Sequence, residues 1–424
     1  MANMRILYVT ASLPFGPGET FVVPEVEELL RRGHEVRVVP LWPRGGMVHE
    51  GARRLLPLTA AHHLASPRVL YSAALYAARR PIPVARALMA ARASRTPAIL
   101  AKNLIAFPKA LWLAREAARW RAHHIHAHWI STTATLAMWA AEVSRTPWSV
   151  TTHRWDIGEN NLLPRKAASA CFVRAINLQG AERLRSLAGL PGFEPAVIHV
   201  GVRLPPDTAR AQRPRSGPLR LLTAANLLPV KGHRYLLEAL ASLCADGVGV
   251  SLDLAGDGPL RPELERQARD LDIADKVRFL GQLPHGELLE RMAAGEWDAA
   301  VLPSIVTDSG EHEGTPVSLM EAMACGLPAV STLTGGIGEL LDGGAGILVP
   351  QKDPRALADA IRQLAADPGY RAALAAAGQR RVREEFSIER VVDELERRFA
   401  ACPHANRAPE ASAGTQAPSG RRFG

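Results

Sequence analysis

The chain has 424 residues, 47% of them hydrophobic and 22% charged, with 51 Lys and Arg against 42 Asp and Glu for a formal net charge of +9. That length exceeds what one hydrophobic core serves, so two domains are expected, and average apolar content with dispersed charge excludes a disordered or fibrous chain. Four cysteines, Cys171, Cys244, Cys325 and Cys402, stand far apart in sequence, which excludes a disulfide framework and the close pairs of a zinc or redox motif and fits a reducing, cytoplasmic compartment.

The charge is unevenly shared. Residues 1–205 hold 26 basic and 12 acidic side chains, net +14, which leaves 25 and 30, net −5, for residues 206–424. No acidic residue occurs between Glu50 and Glu116, where eleven basic ones do. Met1 to Thr10 passes directly into a strand pattern without a charged leader, and Arg68, Arg79, Lys102 and Lys109 interrupt the longest apolar runs, so the chain reads as neither secreted nor membrane-spanning.

Arg5–Thr10 reads as a buried strand, Phe15–Thr20 as a Gly/Pro turn, Val22–Arg32 as an amphipathic helix stopped by Gly33, and Glu35–Pro40 as the next strand. Gly16-Pro-Gly18-Glu-Thr-Phe21 lacks the third glycine of a dinucleotide fingerprint, and no acidic residue ends the second strand, which argues against a dehydrogenase. The basic stretch contains helical segments such as Val84–Ala93 and Leu104–Arg121, broken at Pro81, Pro83, Pro97 and Pro108. Its arginines beside Leu, Ile, Phe and Trp suit the anionic inner face of a cytoplasmic membrane, while ordinary surface helices explain the same charge. No recognition motif supports nucleic acid as a partner. His126-Ala-His128-Trp129 offers two candidate metal ligands, too few for a site, and Thr151-Thr-His153-Arg-Trp-Asp156 supplies a further histidine.

Residues 203–218 are polar, carry four prolines and mark a boundary. The expected division is an N-terminal domain 1–205, a linker 206–218, a C-terminal domain 219–385, a helix 386–400 packing back on the N-terminal domain, and a disordered tail 401–424. In the C-terminal half, strands Leu219–Ala224, Val250–Ala255, Val277–Leu280, Ala299–Pro303 and Ala329–Ser331 alternate with helices such as Arg234–Ala245 and Glu263–Leu271. Alternation predicts an α/β chain of two doubly wound parallel-sheet domains, with ligands beyond the carboxyl ends of the strands, in a cleft where the two rims face each other.

The densest chemistry lies in Ser304–Glu321. Thr315 reads as the N-cap and Pro316 as the first residue of a helix over 316–325, with Gly326 and Pro328 as its stop. Its N-terminus offers free N–H groups to an anion, flanked by Glu313 and, two turns on, Glu321. These carboxylates can accept hydrogen bonds from sugar and ribose hydroxyls, and Gly314 admits a ligand to the backbone.

Glu313-Gly-Thr-Pro-Val-Ser-Leu-Met-Glu321-Ala-Met-Ala-Cys-Gly-Leu-Pro328, followed by Gly335-Gly336-Ile-Gly-Glu339, resembles the retaining glycosyltransferases of family 4, in particular the bacterial exopolysaccharide and colanic-acid type. The resemblance covers nearly the whole chain. It implies the GT-B fold, two Rossmann-like domains around a cleft, and metal-free transfer of a hexose from a UDP- or GDP-linked donor to a glycan or lipid-linked saccharide, with no cofactor. Asn226-Leu-Leu-Pro-Val-Lys231-Gly232-His233 is similar to the family's phosphate-binding turn, with Asn226 where an arginine is usual. By resemblance Lys231, Glu313 and His153 carry catalysis, and Glu321 the ribose. Gly256, Gly258, Gly281, Gly314, Thr315, Pro316, Gly16 and Gly18 line the donor, and His126, His128 and Asp156 lie on the acceptor side. Glu339 fits a ligand contact or a helix cap. A GT-B-shaped scaffold subunit that has lost catalysis is the alternative, favoured by Asn226 and opposed by Lys231, Glu313 and Glu321.

Overall fold

A computed structural model describes residues 3–16, 18–44, 50–206 and 217–403. In it β1 (Arg5–Thr10), β2 (Glu35–Pro40), β3 (His124–His128), β4 (Trp148–Thr152), β5 (Val173–Ala175) and β6 (Ala196–Val197) form one parallel sheet in the order β2-β1-β3-β4-β5-β6. A second parallel sheet contains β7 (Leu219–Ala224), β8 (Val250–Ala255), β9 (Val277–Gly281), β10 (Ala299–Leu302), β11 (Ala329–Thr332) and β12 (Ile347–Val349), in the order β12-β11-β10-β7-β8-β9. Helices cover both faces, so central strands are buried on both sides: every residue of β3, β4 and β10 is buried. This is the two-domain, doubly wound architecture the strand and helix alternation predicts.

Each order reverses once, between β1 and β3 in the first sheet and between β7 and β10 in the second. At a reversal the following loops leave toward opposite faces and open a crevice at the carboxyl ends of the strands. Loops 225–232 and 303–316 leave that point in the second sheet, and the loops after β1 and β3 do so in the first.

The chain crosses between the sheets twice. The second crossing runs through Ser387, which bridges to Val202, into the helix Ile388–Ala401. That helix lies on the N-terminal sheet, burying Val391, Val392, Leu395 and Phe399 against Ile6, Tyr8, Val26 and Leu29. Arg32 reaches Asp393 at 2.6 Å and Glu396 at 2.7 Å, and His34 meets Glu396 at 2.6 Å. The Phe399 ring stands 4.6 Å from His124 and 5.8 Å from Phe172. Folding also joins two cysteines that are distant in sequence: a hydrogen bond from Cys402, just past this helix, lowers the Cys171 thiol to about 7.

Three local expectations need correction. Pro108 does not end a helix, because Pro97–Trp120 runs through it. A proline there forfeits one backbone hydrogen bond, at a cost of about 3 kcal/mol, which the buried face from Asn103 to Ala117 offsets. The segment read as Val84–Ala93 is a helix Pro81–Ala90 with a short 3-10 turn after it, and Pro81 and Pro83 sit in its first turn, where no N–H is needed. Thr315 does not cap the helix that carries Glu321, which begins at Val317 with extended Pro316 before it. Most of the linker, 207–216, and most of the tail, 404–424, lie outside the described residues. Among the described residues no helix is long and apolar enough to cross a membrane.

Phe399 is fully buried. Phe399→Ala should lower unfolding free energy by about 3–5 kcal/mol, measured by urea denaturation. An unchanged midpoint would mean that the last helix is not part of the cooperative fold.

Candidate functional site at the two strand-order reversals

The loop after β7 is shaped by its neighbours. Leu227 N donates to Asp257 O at 3.0 Å, Pro229–Lys231 forms a 3-10 turn, and Gly232 follows at φ +67°. A Cβ on Gly232 would fall 2.0 Å from the Pro303 carbonyl oxygen, so only glycine lets this turn lie against the start of the loop after β10. Ile305 N donates to Val230 O at 2.9 Å and closes the contact. Lys231 is thereby brought to Glu313, and its ammonium donates to one carboxylate oxygen. Ser304 Oγ approaches the same oxygen at 3.4 Å, and Gly314 N donates to the other at 3.2 Å.

A third loop braces Glu313 from behind. Gly335, at φ +53°, lies so close that a Cβ would sit 1.9 Å from the Glu313 carbonyl oxygen, and Gly336 N donates to Gly314 O at 2.9 Å. Thr315 Oγ1 is buried against Gly336 and has no hydrogen-bond partner among the described residues. Glu321 projects from the helix Val317–Ala324 to His285, the first residue of the helix His285–Ala293 that follows β9, at 2.7 Å. That hydrogen bond raises the His285 imidazole above its ordinary value despite burial. Gly256 and Gly258 press on the backbone of Ala225 and Leu227, and Gly256 N donates to Gly281 O at 2.8 Å. One rim therefore gathers Lys231, Gly232, Gly256, Gly258, Gly281, Glu313, Gly314, Thr315, Pro316 and Glu321, while Asn226 stands exposed on the same loop.

The N-terminal rim is organised by a carboxylate that sequence reading passed over. Glu19, inside the Gly16 to Phe21 loop, accepts from Ala11 N at 2.8 Å, Ser12 N at 2.6 Å, Leu13 N at 2.7 Å and Trp129 Nε1 at 2.7 Å. Its signal was an acidic residue at the end of a Gly-Pro-Gly turn right after a strand. Gly16, at φ +72°, makes the turn, and Gly18 is exposed. Trp129 and Phe21 flank His153, with ring centroids 4.4 and 4.9 Å away. Behind it, His128 Nδ1 lies 3.5 Å from His153 Nε2, and His128 Nε2 lies 3.3 Å from Glu25. Arg174 meets Glu25 at 2.6 Å, and Tyr8 donates its hydroxyl to the same carboxylate. Burial pushes the Glu25 carboxyl up, but Arg174 and His128 outweigh it and hold it well below the carboxylate range.

The three acceptor-side residues do not fit that role. His126 is fully buried, with Nδ1 2.7 Å from Ser149 Oγ and Nε2 2.9 Å from Thr151 Oγ1, so neither nitrogen is left for a saccharide. Asp156 is also fully buried and accepts from Ile130 N at 2.9 Å and His153 N at 3.1 Å; it positions His153 from below. His128 is likewise interior. Among the described residues, Glu25, His126 and His128 are the group whose metal-ligating atoms lie within 4.8 Å of one another, but Arg174, Tyr8, Ser149 and Thr151 already engage Glu25 and His126.

The rims touch. Arg154 donates to the His312 carbonyl, and a Cβ on Gly314 would be 3.9 Å from Ile176 Cδ1. Glu339 reaches across to accept from Leu178 N at 2.7 Å, at the start of the helix Leu178–Ala188, and lies 3.2 Å from His199 Nε2. A helix cap is thus what Glu339 supplies, to a helix of the opposite domain.

The sequence profile described as glycosyl transferases group 1 matches residues 206–381. A glycogen synthase of Mycobacterium tuberculosis is 30% identical over 311 residues, covering 69% of this chain and 72% of that one. The chain belongs to the glycosyl transferases group 1 family. A Salmonella typhimurium protein named for glycosyl transfer in colanic acid biosynthesis is 37% identical over 179 residues, and the match spans 42% of this group 1 chain and only 43% of that protein. Among solved structures, HepE of Anabaena in complex with UDP superposes with a TM-score of 0.68 at 18% identity, over 94% of this chain and 100% of that one. At that identity the likeness concerns the fold.

Burial gives this family member a pH signature. Burial, and then neighbouring positive charge, holds His126 and His153 well below the ordinary histidine value and pushes His233, beside Lys231, down to about 4. The unfolded chain protonates these residues near pH 6.5 and the folded chain does not, so stability is full above that pH and is lost as pH falls toward the folded values. The limiting slope is about 1.4 kcal/mol per pH unit for each histidine. Urea midpoints should fall between pH 7 and pH 4.5, and less steeply in His233→Leu; equal slopes would remove His233 from the account.

Proposed function

We propose that this group 1 family member is a retaining hexosyltransferase. It moves a hexose from a UDP- or GDP-linked donor to a glycan or lipid-linked saccharide in cell-surface polysaccharide assembly, without a metal or other cofactor. The observation that carries the reading is the Lys231–Glu313 pair at the strand-order reversal, beside the free N-terminus of the helix Val317–Ala324. HepE, solved with UDP, and the Salmonella relative named for colanic acid biosynthesis support it.

The pair acts as a neutral resting arrangement. A donor pyrophosphate takes the Lys231 ammonium, and Glu313, released, accepts hydrogen bonds from sugar hydroxyls. As the bond from the sugar C1 to the phosphate oxygen breaks, its electron pair goes to the β-phosphate. Lys231 and the backbone N–H groups at Val317 and Ser318 stabilise that charge where a metal would otherwise do so. The acceptor hydroxyl attacks from the same face, and its proton passes to the leaving phosphate, so the anomeric configuration is kept. Glu321 takes the ribose hydroxyls. His153, neutral because it is buried, offers a hydrogen bond to the sugar without adding charge. Gly16 and Gly18 line the phosphate side of the opposing rim, and the Glu19 hydrogen bonds hold that loop in place.

The second reading, a donor-binding scaffold without catalysis, rests on Asn226, which leaves Lys231 as the cation of that turn. A thermal-shift panel of UDP, GDP and ADP sugars followed by assay of nucleoside diphosphate release separates the two. Release with retained product stereochemistry, undiminished by a chelator, is the expected result; stabilisation without release from any donor would favour the scaffold. Lys231→Ala should lower turnover by about 10²–10³-fold. Glu321→Ala should weaken donor affinity by about 10–100-fold, the loss of charged hydrogen bonds. Wild-type rates in both variants would overturn the site.

A further inference from the structure

The helix Pro81–Ala90 reads Pro-Ile-Pro-Val-Ala-Arg-Ala-Leu-Met-Ala, with one charged residue, yet it buries only Ala87. A helix that is apolar on most of its circumference is normally enclosed by protein or lipid. Here the large side chains point away from the core: Ile82 is 64% exposed and Met89 57%. The neighbouring helices repeat the pattern. Pro67–Arg79 buries Val69, Ala73 and Tyr76 but leaves Tyr71 69% exposed, and Pro97–Trp120 leaves Ile105 57% exposed near its start. Arg80 ends the first of these helices and begins the second, and the first packs along the third, so the exposed apolar groups belong to one contiguous end of the N-terminal domain.

The charges there have one sign. Seven exposed basic side chains lie between Arg68 and Lys102, and the whole interval from Glu50 to Glu116 contains no carboxylate. Among the described residues one of the seven has an ion-pair partner, Lys102 with Glu159 at 3.5 Å. A protein partner would answer such a face with acidic residues around an apolar centre. A second copy of this chain cannot, because it would bring the same cations to the interface. An anionic leaflet supplies both requirements at once, phosphate charge at the surface and hydrocarbon just beneath it.

We propose that the face formed by Pro67–Arg79, Pro81–Ala90 and the start of Pro97–Trp120 docks on an anionic lipid surface. Tyr71, Ile82, Met89 and Ile105 enter the headgroup boundary, and Arg79, Arg80 and Arg86 meet the phosphates. This is peripheral attachment, since no described helix is long and apolar enough to span. It does not rest on glycosyl transfer, because binding is read without any donor.

Flotation of the full chain with vesicles tests it, comparing phosphatidylcholine alone with a mixture containing about 30% phosphatidylglycerol at low salt. Binding should appear with the mixture, fall steeply when ionic strength rises to about 0.5 M, and be absent on phosphatidylcholine. Arg79→Glu/Arg80→Glu/Arg86→Glu should weaken it by at least about a hundredfold, from roughly fivefold per basic side chain. Tyr71→Ser/Ile82→Ser/Met89→Ser should release the protein at salt where the wild type stays bound. All six side chains are exposed, so both variants should keep the wild-type thermal midpoint, which checks that lost flotation is not lost folding. No flotation of the wild type at low salt, or flotation unchanged in both variants, would overturn the proposal. So would concentration-dependent dimerisation abolished by the serine variant, which would make the face a self-association surface.

Discussion

The contact of Gly232 with the Pro303 carbonyl governs the C-terminal rim. It draws together the loops that leave β7 and β10, the two strands on either side of the order reversal, and so sets the reach of Lys231 to Glu313. A partly buried ion pair contributes little net stability, because desolvation offsets most of its Coulombic gain. Its consequence is spatial. Two opposite charges are held in place at the mouth of the crevice, beside a helix N-terminus that carries no side-chain cap. The loop after β11 reinforces this, since Gly335 lies against the backbone carbonyls of Glu313 and Gly314, and Gly336 against the Thr315 hydroxyl, so the main chain that carries the carboxylate is fixed.

The N-terminal rim solves a different problem, that of keeping polar groups in the middle of a buried sheet. His124, His126 and His128 alternate along β3 and so share one face of the sheet. That face is roofed by the last helix, whose Phe399 meets both His124 and His126. Strand register supplies the partners: His126 pairs with Ser149 and His128 with Thr151 across β4. With Glu25 ionised against Arg174, the charges behind the rim are matched, and His153 meets the cleft from a polar network that is already satisfied. The C-terminal helix thus contributes to the site at second hand, by closing the ladder on which His128 and His153 stand.

Much of this could be read from the sequence, and the limits have physical causes. The β-α-β units, the second-sheet strands and the Glu313–Glu321 constellation rest on local patterns: β-branched runs, glycine turns, a helix bracketed by Thr-Pro and Gly-Leu-Pro. What failed depends on partners distant in the chain. Pro108 inside a helix is a matter of tertiary packing outweighing a local penalty, and the inward turn of His126 and Asp156 depends on Ser149, Thr151 and Ile130. The role of Glu19 is hard to read from sequence because three of its five hydrogen bonds come from backbone N–H groups, which no side-chain motif encodes. Cys171 and Cys402 meet only because the last helix returns to the first sheet.

The charge asymmetry between the halves resolves into two populations of cations. Some are interior. Arg174 is neutralised by Glu25, Lys166 is surrounded by the carbonyls of Ile130 and Ser131, and Lys109 by those of Pro40, Leu41 and His62. Burial lowers Lys166 well below the lysine range and brings Lys109 to about 7, so these side chains add less to the external field than their count suggests. Carbonyl dipoles can satisfy an ammonium without any acidic residue nearby, which lets the chain omit carboxylates across the whole Glu50 to Glu116 interval. Arg79, Arg80 and Arg86 of that interval stand exposed on the same helices as Tyr71, Ile82 and Met89, where a fixed positive charge that no pH change removes is the form best suited to a phosphate-bearing surface.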